Sequence, residues 1–195
     1  SGELSTDYLL YGSEYTGETA QPGYYALKLS KYDILAEVAS TMRSSIERYT
    51  YRKGKAHVIV NLGQGLTNES GGFIRKVSDT EIEGMRLCGG FCYHSQAVFP
   101  QYFVIRVNKS PKEAGFWKKQ PNMTAEAAWD EHAGKYKVYT DYAREMAGDN
   151  LGYRFTYDAE DGEQICVQMG VSFVSCENAR QNLEAEQPAC NFDQV

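Results

Sequence analysis

The fold is decided by one stretch, EQICVQMGVSFVSCENARQNLEAE, residues 163–186. Ile165, Val167 and Met169 alternate with Cys166, Gln168 and Gly170, the period of a strand with two unlike faces, and Val171, Phe173 and Val174 extend the apolar run. At Ser175 the period changes. Ser175 is a good N-cap, Glu177 places negative charge in the first turn, and 179–186 are mostly helix formers, with Pro188 just beyond. A core strand therefore hands over directly to a helix at 175–186. This is the expected exit of a domain that leads into something else.

Upstream, the same reading gives a chain of short strands. Residues 1–20 form a polar lead-in with a short apolar edge strand at 8–11, and Pro22-Gly23 is a turn. Strands follow at 24–29, 34–41 and 44–51, the last with Ile46 and Arg48 on one side and Glu47, Tyr49 and Tyr51 on the other. Arg52-Lys53-Gly54-Lys55 reads as a hairpin tip leading into a central strand at 56–62. Residues 63–72 are loop-like, strands are expected at 73–77, 80–87 and 98–108, and Gly84 marks a bulge or a close backbone approach. The region 109–150 is the least β-like, with a helix expected at 125–132 and with 138–146 open between strand and helix. Residues 151–157 alternate again, and 158–162 (DAEDG) read as a hairpin turn into the strand quoted above. The sum is an all-β, antiparallel sandwich occupying 1–195 as a single domain, with a short helical insertion and the helix at 175–186.

At 195 residues, 42% hydrophobic and 24% charged, the chain can bury a proper core. A net charge of −6 argues against nucleic acid, and no apolar run is long enough for a membrane-spanning helix. The five cysteines are odd in number. Cys88 and Cys92 stand about 13 Å apart along an expected strand, too far to pair, and the set reads as small buried side chains with no Cys/His spacing for zinc. Asp158, Glu160 and Asp161 depart from calcium-loop spacing. Glu81 and Glu83, on one side of a strand, have the residue types of a glycosidase pair, but exposed alternating positions give the same pattern. Of the isolated histidines 57, 94 and 132, His94 is the most plausible ligand contact. No catalytic fingerprint is present, so catalytic and metal residues are expected to be absent.

Four segments in order carry a family resemblance. VQMGVSFVSCENARQNLEAE (167–186), AQPGYYALKL (20–29), TMRSSIERYTY (41–51) and the pair IEGMR (82–86) with Gly89-Gly90-Phe91, Gln96 and Tyr102-Phe103 together resemble the N-terminal domain of glycoside hydrolase family 92. These are the calcium-dependent exo-α-mannosidases. Glu47 stands where the family has His and Phe91 where it has Trp, and 121–147 reads as an insertion.

The resemblance implies a galactose-mutarotase-like super-sandwich that precedes an (α/α)6 catalytic domain, its partner, with the site for a mannose-containing glycan between the two. It places the acid, the base and the calcium in that second domain, so no cofactor is expected in this chain. It implies a secreted, periplasmic or cell-surface bacterial α-mannosidase, acting on α-1,2 linkages, of which this chain is the non-catalytic part. Phe91, His94, Gln96 and Arg86 are the residues expected nearest the substrate. The rival expectation is a carbohydrate-binding module stacking sugars on Phe91, Tyr93 or Trp117. A purely structural domain would instead show exposed apolar surface at Ala179 and Leu183.

Overall fold

The computed structural model describes residues 4–5, 8–65, 69–89, 98–119, 136–140 and 144–195. Among them, thirteen strands form two antiparallel sheets. The larger has the order β1 (Tyr15–Gln21), β2 (Tyr24–Leu29), β3 (Ile34–Ser40), β4 (Ser44–Tyr51), β13 (Glu163–Ser172), β8 (Phe99–Val107), β7 (Glu81–Cys88), β6 (Glu69–Lys76) and β11 (Glu145–Gly148). The smaller runs β10 (Tyr136–Thr140), β9 (Glu113–Lys119), β12 (Leu151–Ala159) and β5 (Gly54–Asn61). A single turn, α1 (Tyr8–Tyr11), precedes them, and α2 (Cys176–Glu186) and a 3-10 turn (Phe192–Gln194) follow.

The alternation in β13 sorts its residues as the sequence implies. Ile165, Val167 and Met169 join Ile34, Ile105 and Val107 on the inner face, packed against Phe116, Leu151, Tyr153, Phe155 and Tyr157 of the smaller sheet. The aromatic members meet edge to face, Phe116 on Tyr153 at 4.9 Å and Tyr153 on Phe155 at 5.0 Å between ring centroids. This is the core of the sandwich.

The outer face of β13 carries α2. Ser175 caps the helix by accepting from the Asn178 N–H at 3.0 Å, and Ala179 and Leu183 are buried against Val104. Burial of the Leu183 side chain contributes about 2 kcal/mol. Gly170 is what lets the helix come so close: a Cβ there would lie 2.4 Å from the Ala179 carbonyl oxygen and 2.7 Å from Leu183 Cβ. Ala179 and Leu183 are therefore core, and the exposed apolar surface that a purely structural domain would show at these two positions is not found there.

Both expected hairpins are corners between sheets. β4 pairs with β13 in the larger sheet, and β5 pairs with β12 in the smaller. The chain makes one long two-stranded ribbon that folds over on itself, with Tyr51 opposite Glu163 before the corner and Gly54 opposite Ala159 after it. The Gly162 N–H donates to the Tyr51 carbonyl at 2.9 Å, and Arg52–Asp161 and Lys53–Glu160 pair across the bend at 3.4 and 3.2 Å. Turn residues report a change of direction, not its destination. β5 accordingly lies at an edge of the smaller sheet, and its buried Ala56 and Val58 point at the other sheet.

Other differences have local causes. Residues 8–11 form a helical turn whose end carbonyls are taken up by Lys31 Nζ on Leu10 (2.6 Å) and Tyr32 Oη on Tyr11 (3.0 Å). Strand β1 has every residue exposed, so it has no apolar period to read and is held by its ladder to β2. Residues 69–72 belong to β6, and the open segment 138–146 contains the end of β10 and the start of β11. Strand β9 runs through the part of the chain read as least β-like. The helix expected at 125–132 lies outside the described residues.

Candidate functional site at the end of the larger sheet

Strands β7 and β13 both run antiparallel to β8, so their C-terminal ends flank its beginning. Cys88 is opposite Phe99, Arg86 opposite Gln101, and Ser172 opposite Tyr102. Ser172 Oγ accepts from the Val174 N–H at 2.9 Å and donates to Asn178 Oδ1 at 2.8 Å. These bonds fix a tight turn into the Ser175 cap, and the turn throws Phe173 and Val174 outward. They are 66% and 73% exposed. Phe173 stacks edge-on against the half-exposed Phe99 with 5.9 Å between centroids, and Val98 beside it is also exposed. Four large apolar side chains thus form a rim at one end of the sheet, where scattered single residues are the norm.

Arg86 sits on the same end. Its Nη1 donates to the Gln64 carbonyl at 2.9 Å, and its guanidinium lies on Gly65, where a Cβ would be only 2.4 Å from Nη1. The arginine pins the loop after β5 to the end of β7 and holds a fixed cation near the rim. Phe91, His94 and Gln96, the other residues expected nearest a substrate, lie outside the described residues, in the segment that follows this strand end.

Glu81 and Glu83 do not form an acid–base pair. Arg180 of α2 places Nη2 2.8 Å from Glu81 Oε1 and 2.7 Å from Glu83 Oε2, Arg106 Nε is 2.5 Å from Glu81 Oε2, and Arg75 Nη1 is 2.8 Å from Glu83 Oε1. Burial pushes the Glu81 carboxyl up, but hydrogen bonds from Arg106 and Arg180 outweigh it and hold the group below its usual range. A carboxylate so held cannot lend a proton to a glycosidic oxygen at neutral pH. The pair fastens α2 to the sheet. At the corner, Asp158, Glu160 and Asp161 each face a cation, Lys112, Lys53 and Arg52 respectively. Among the described residues no group of three His, Cys, Asp or Glu could hold a metal ion.

The family model for the glycosyl hydrolase family 92 N-terminal domain matches residues 2–172. The chain belongs to this family. No curated protein matches it. Among solved structures, the family 92 α-mannosidase BT3965 of Bacteroides thetaiotaomicron superimposes with a TM-score of 0.75 at 24% identity, over 94% of this chain and 23% of its own. The same enzyme in complex with mannoimidazole gives 0.74 at 25% identity, over 93% and 22%. The inverting mannosidase BT2199 of the same species gives 0.76 at 17% identity, over 99% and 23%. The family 92 domain described here thus spans about a quarter of the length of these neighbours and has their sandwich fold.

The family 92 domain also has a cavity of about 420 Å³ on the β4–β5 side of the core, lined by Tyr11, Tyr32, Glu47, Tyr49, His57 and Met169 among others. Burial raises the Glu47 carboxyl, and the hydrogen bond it accepts from Tyr49 Oη only partly opposes this. His57 Nδ1 is 2.9 Å from Thr156 Oγ1 on the paired strand. The alternation of β4 grouped Glu47 with two tyrosines, a visible signal, but nothing in the sequence said that this side faces inward. The aromatic platform of the rival reading loses one member. Trp117 is fully buried over Gly152, whose Cβ would lie 2.3 Å from the indole. Phe91 and Tyr93 lie outside the described residues.

Proposed function

We propose that this family 92 domain is the non-catalytic sandwich of a secreted bacterial α-mannosidase that removes terminal, α-1,2-linked mannose with inversion. In this reading its rim docks the (α/α)6 catalytic domain, which supplies acid, base and calcium, and the glycan site lies along the junction near Arg86 and the 90–97 segment. The observation that carries it is the rim itself. Phe99, Phe173 and Val174 offer apolar surface where β13 turns into α2, beside the end of β7, after which the sequence runs on to the residues proposed to face a substrate. Two further points support it: the neighbours of the same fold are mannosidases about four times as long, and the carboxylates of Glu81, Glu83 and Asp158 are engaged by cations. A secreted, periplasmic or cell-surface location follows from the substrate class.

An inverting reaction needs an acid and a base about 6.5–9.5 Å apart with room for water. The isolated chain is therefore expected to release no mannose from α-1,2-mannobiose with calcium present. Calcium-dependent release by the chain alone would overturn the proposal. Titration with mannose oligosaccharides separates the binding module, which predicts millimolar or tighter binding lost on Phe91→Ala.

A further inference from the structure

Beyond α2 the chain returns along the outer face of β13 and β4. Gln168, buried on that face, donates from Nε2 to the carbonyls of Gln187 (3.2 Å) and Ala189 (3.1 Å). Three residues further on, Phe192 packs under the Arg48 guanidinium, 4.2 Å from its ring centroid, and Arg48 Nη1 reaches Asp193 Oδ1 at 2.9 Å. Arg48 is the register partner of Cys166 on the neighbouring strand. The segment is thus fixed beside position 168 at residue 189 and beside position 166 at residues 192 and 193. Cys190 lies between these anchors, on the outer face of β13 that also carries Cys166. One thiol is exposed, the other buried beneath it.

We propose that Cys166 and Cys190 form a disulfide when the domain meets an oxidising disulfide, stapling the segment after α2 to the sheet. The inference is independent of the function proposed above. The reaction is exchange with a low-molecular-weight disulfide, RSSR. The exposed Cys190, as thiolate, attacks one sulfur of RSSR, and RS⁻ leaves. Cys166, as thiolate, then attacks Cys190 Sγ, the mixed disulfide breaks, and the second RS⁻ leaves. The two protons released by the protein thiols are taken up by the leaving thiolates, so the protein dithiol is oxidised and RSSR is reduced to two RSH.

Cys166 suits the second, resolving step. It stands beside Arg48, its register partner on β4, and next to the segment that carries Cys190. The anchors on either side of Cys190 limit how far the backbone must move to bring the two thiols to bonding geometry. The other described cysteines are engaged elsewhere. Cys88 lies on β7 beside Gln101, and Cys176 donates to the Gly84 carbonyl at 3.3 Å.

The test is oxidation of the purified chain with oxidised glutathione, alkylation of remaining thiols, and mass spectrometry of the unreduced digest. The expected product joins the peptides carrying Cys166 and Cys190, with two fewer free thiols per chain than the reduced protein. Closing this loop should raise Tm by about 5–15 °C. Cys190→Ser, which alters an exposed side chain only, should give neither the link nor the shift. Glutathione retained on Cys190 without a cross-link, Cys190 joined to a different cysteine, or a cross-linked form that melts no higher than the reduced one would each overturn the proposal.

Discussion

Arg180 on α2 donates to Glu83 on β7 at 2.7 Å, joining residues 97 apart in the chain. The same Nη2 meets Glu81, so a single guanidinium bridges two carboxylates that the strand period puts side by side. Glu83 is 8% exposed, and without Arg180 it would keep only the half-exposed Arg75 as a cation while facing the Glu81 carboxylate. Arg180→Ala is therefore expected to cost about 2–4 kcal/mol in urea unfolding at pH 7, with Arg180→Lys recovering only part because it lacks the planar fork. Combining Arg180→Ala with Glu83→Gln should cost less than Arg180→Ala alone, since the stranded charge is gone. A single-mutant loss within 0.5 kcal/mol, roughly the range of neutral surface changes, would show that water replaces the arginine.

Glu186 closes α2 onto the turn before β4. Burial pushes its carboxyl up, but hydrogen bonds from Thr41 Oγ1, the Arg43 backbone and side chain and Ser44 prevail and hold it at about 2. An unfolded glutamate titrates near 4.3. A depressed folded value contributes stability above the unfolded value and loses it as pH falls toward the folded one. Glu37, held down chiefly by its hydrogen bonds from Arg48, acts in the same direction. Glu186→Gln should therefore cost about 2 kcal/mol at pH 7, with its urea midpoint converging on the wild type between about pH 4.3 and 2. Parallel midpoints across that range would rule out the assignment.

The elements legible in the sequence are those with two unlike faces. β13 and α2 were readable because Ile165 and Val167 must point inward while Gly170 and Ser175 make room for a helix and cap it. β1 was not, because neither of its faces is buried. The turn residues at 52–55 and 158–162 are legible, but the partners of the strands they join are set by which sheet buries Ala56 and Tyr157, a tertiary fact. Of the candidate site, Arg86 is visible through the family pattern. The rim formed by Phe173 and Val174 was disguised as the end of a core strand, since two apolar residues look alike whether the ladder includes them or stops at Ser172.

Gly170 offers a test of how tightly α2 is seated. Its added Cβ would meet the Ala179 carbonyl and Leu183 Cβ, helix backbone and stem that no rotamer change can move aside. Gly170→Val must therefore lift the helix or bend β13, at about 2–3 kcal/mol, with Gly170→Ala somewhat milder. Amide exchange should quicken through 176–186 and leave the inner strands β9 and β12 protected. Unchanged protection in α2 would mean that the strand yields instead.

Glu47 should respond to pH in the opposite sense from Glu186. It sits between the sheets, where burial raises its carboxyl above the usual range, and among the described residues no Lys or Arg pairs with it. A raised folded value means that the native state binds the proton more tightly, so stability is greatest below the unfolded value and declines as pH rises through the folded one. Glu47→Gln keeps an acceptor for Tyr49 Oη and removes the ionisation. The variant is expected to be more stable than the wild type at pH 8, with the difference vanishing near pH 4, where the wild-type carboxyl is protonated as well. Circular-dichroism melts at the two pH values read this directly. A variant less stable at pH 8 would mean that the ionised carboxylate is held by the cavity and that the side chain is a binding group in its charged form.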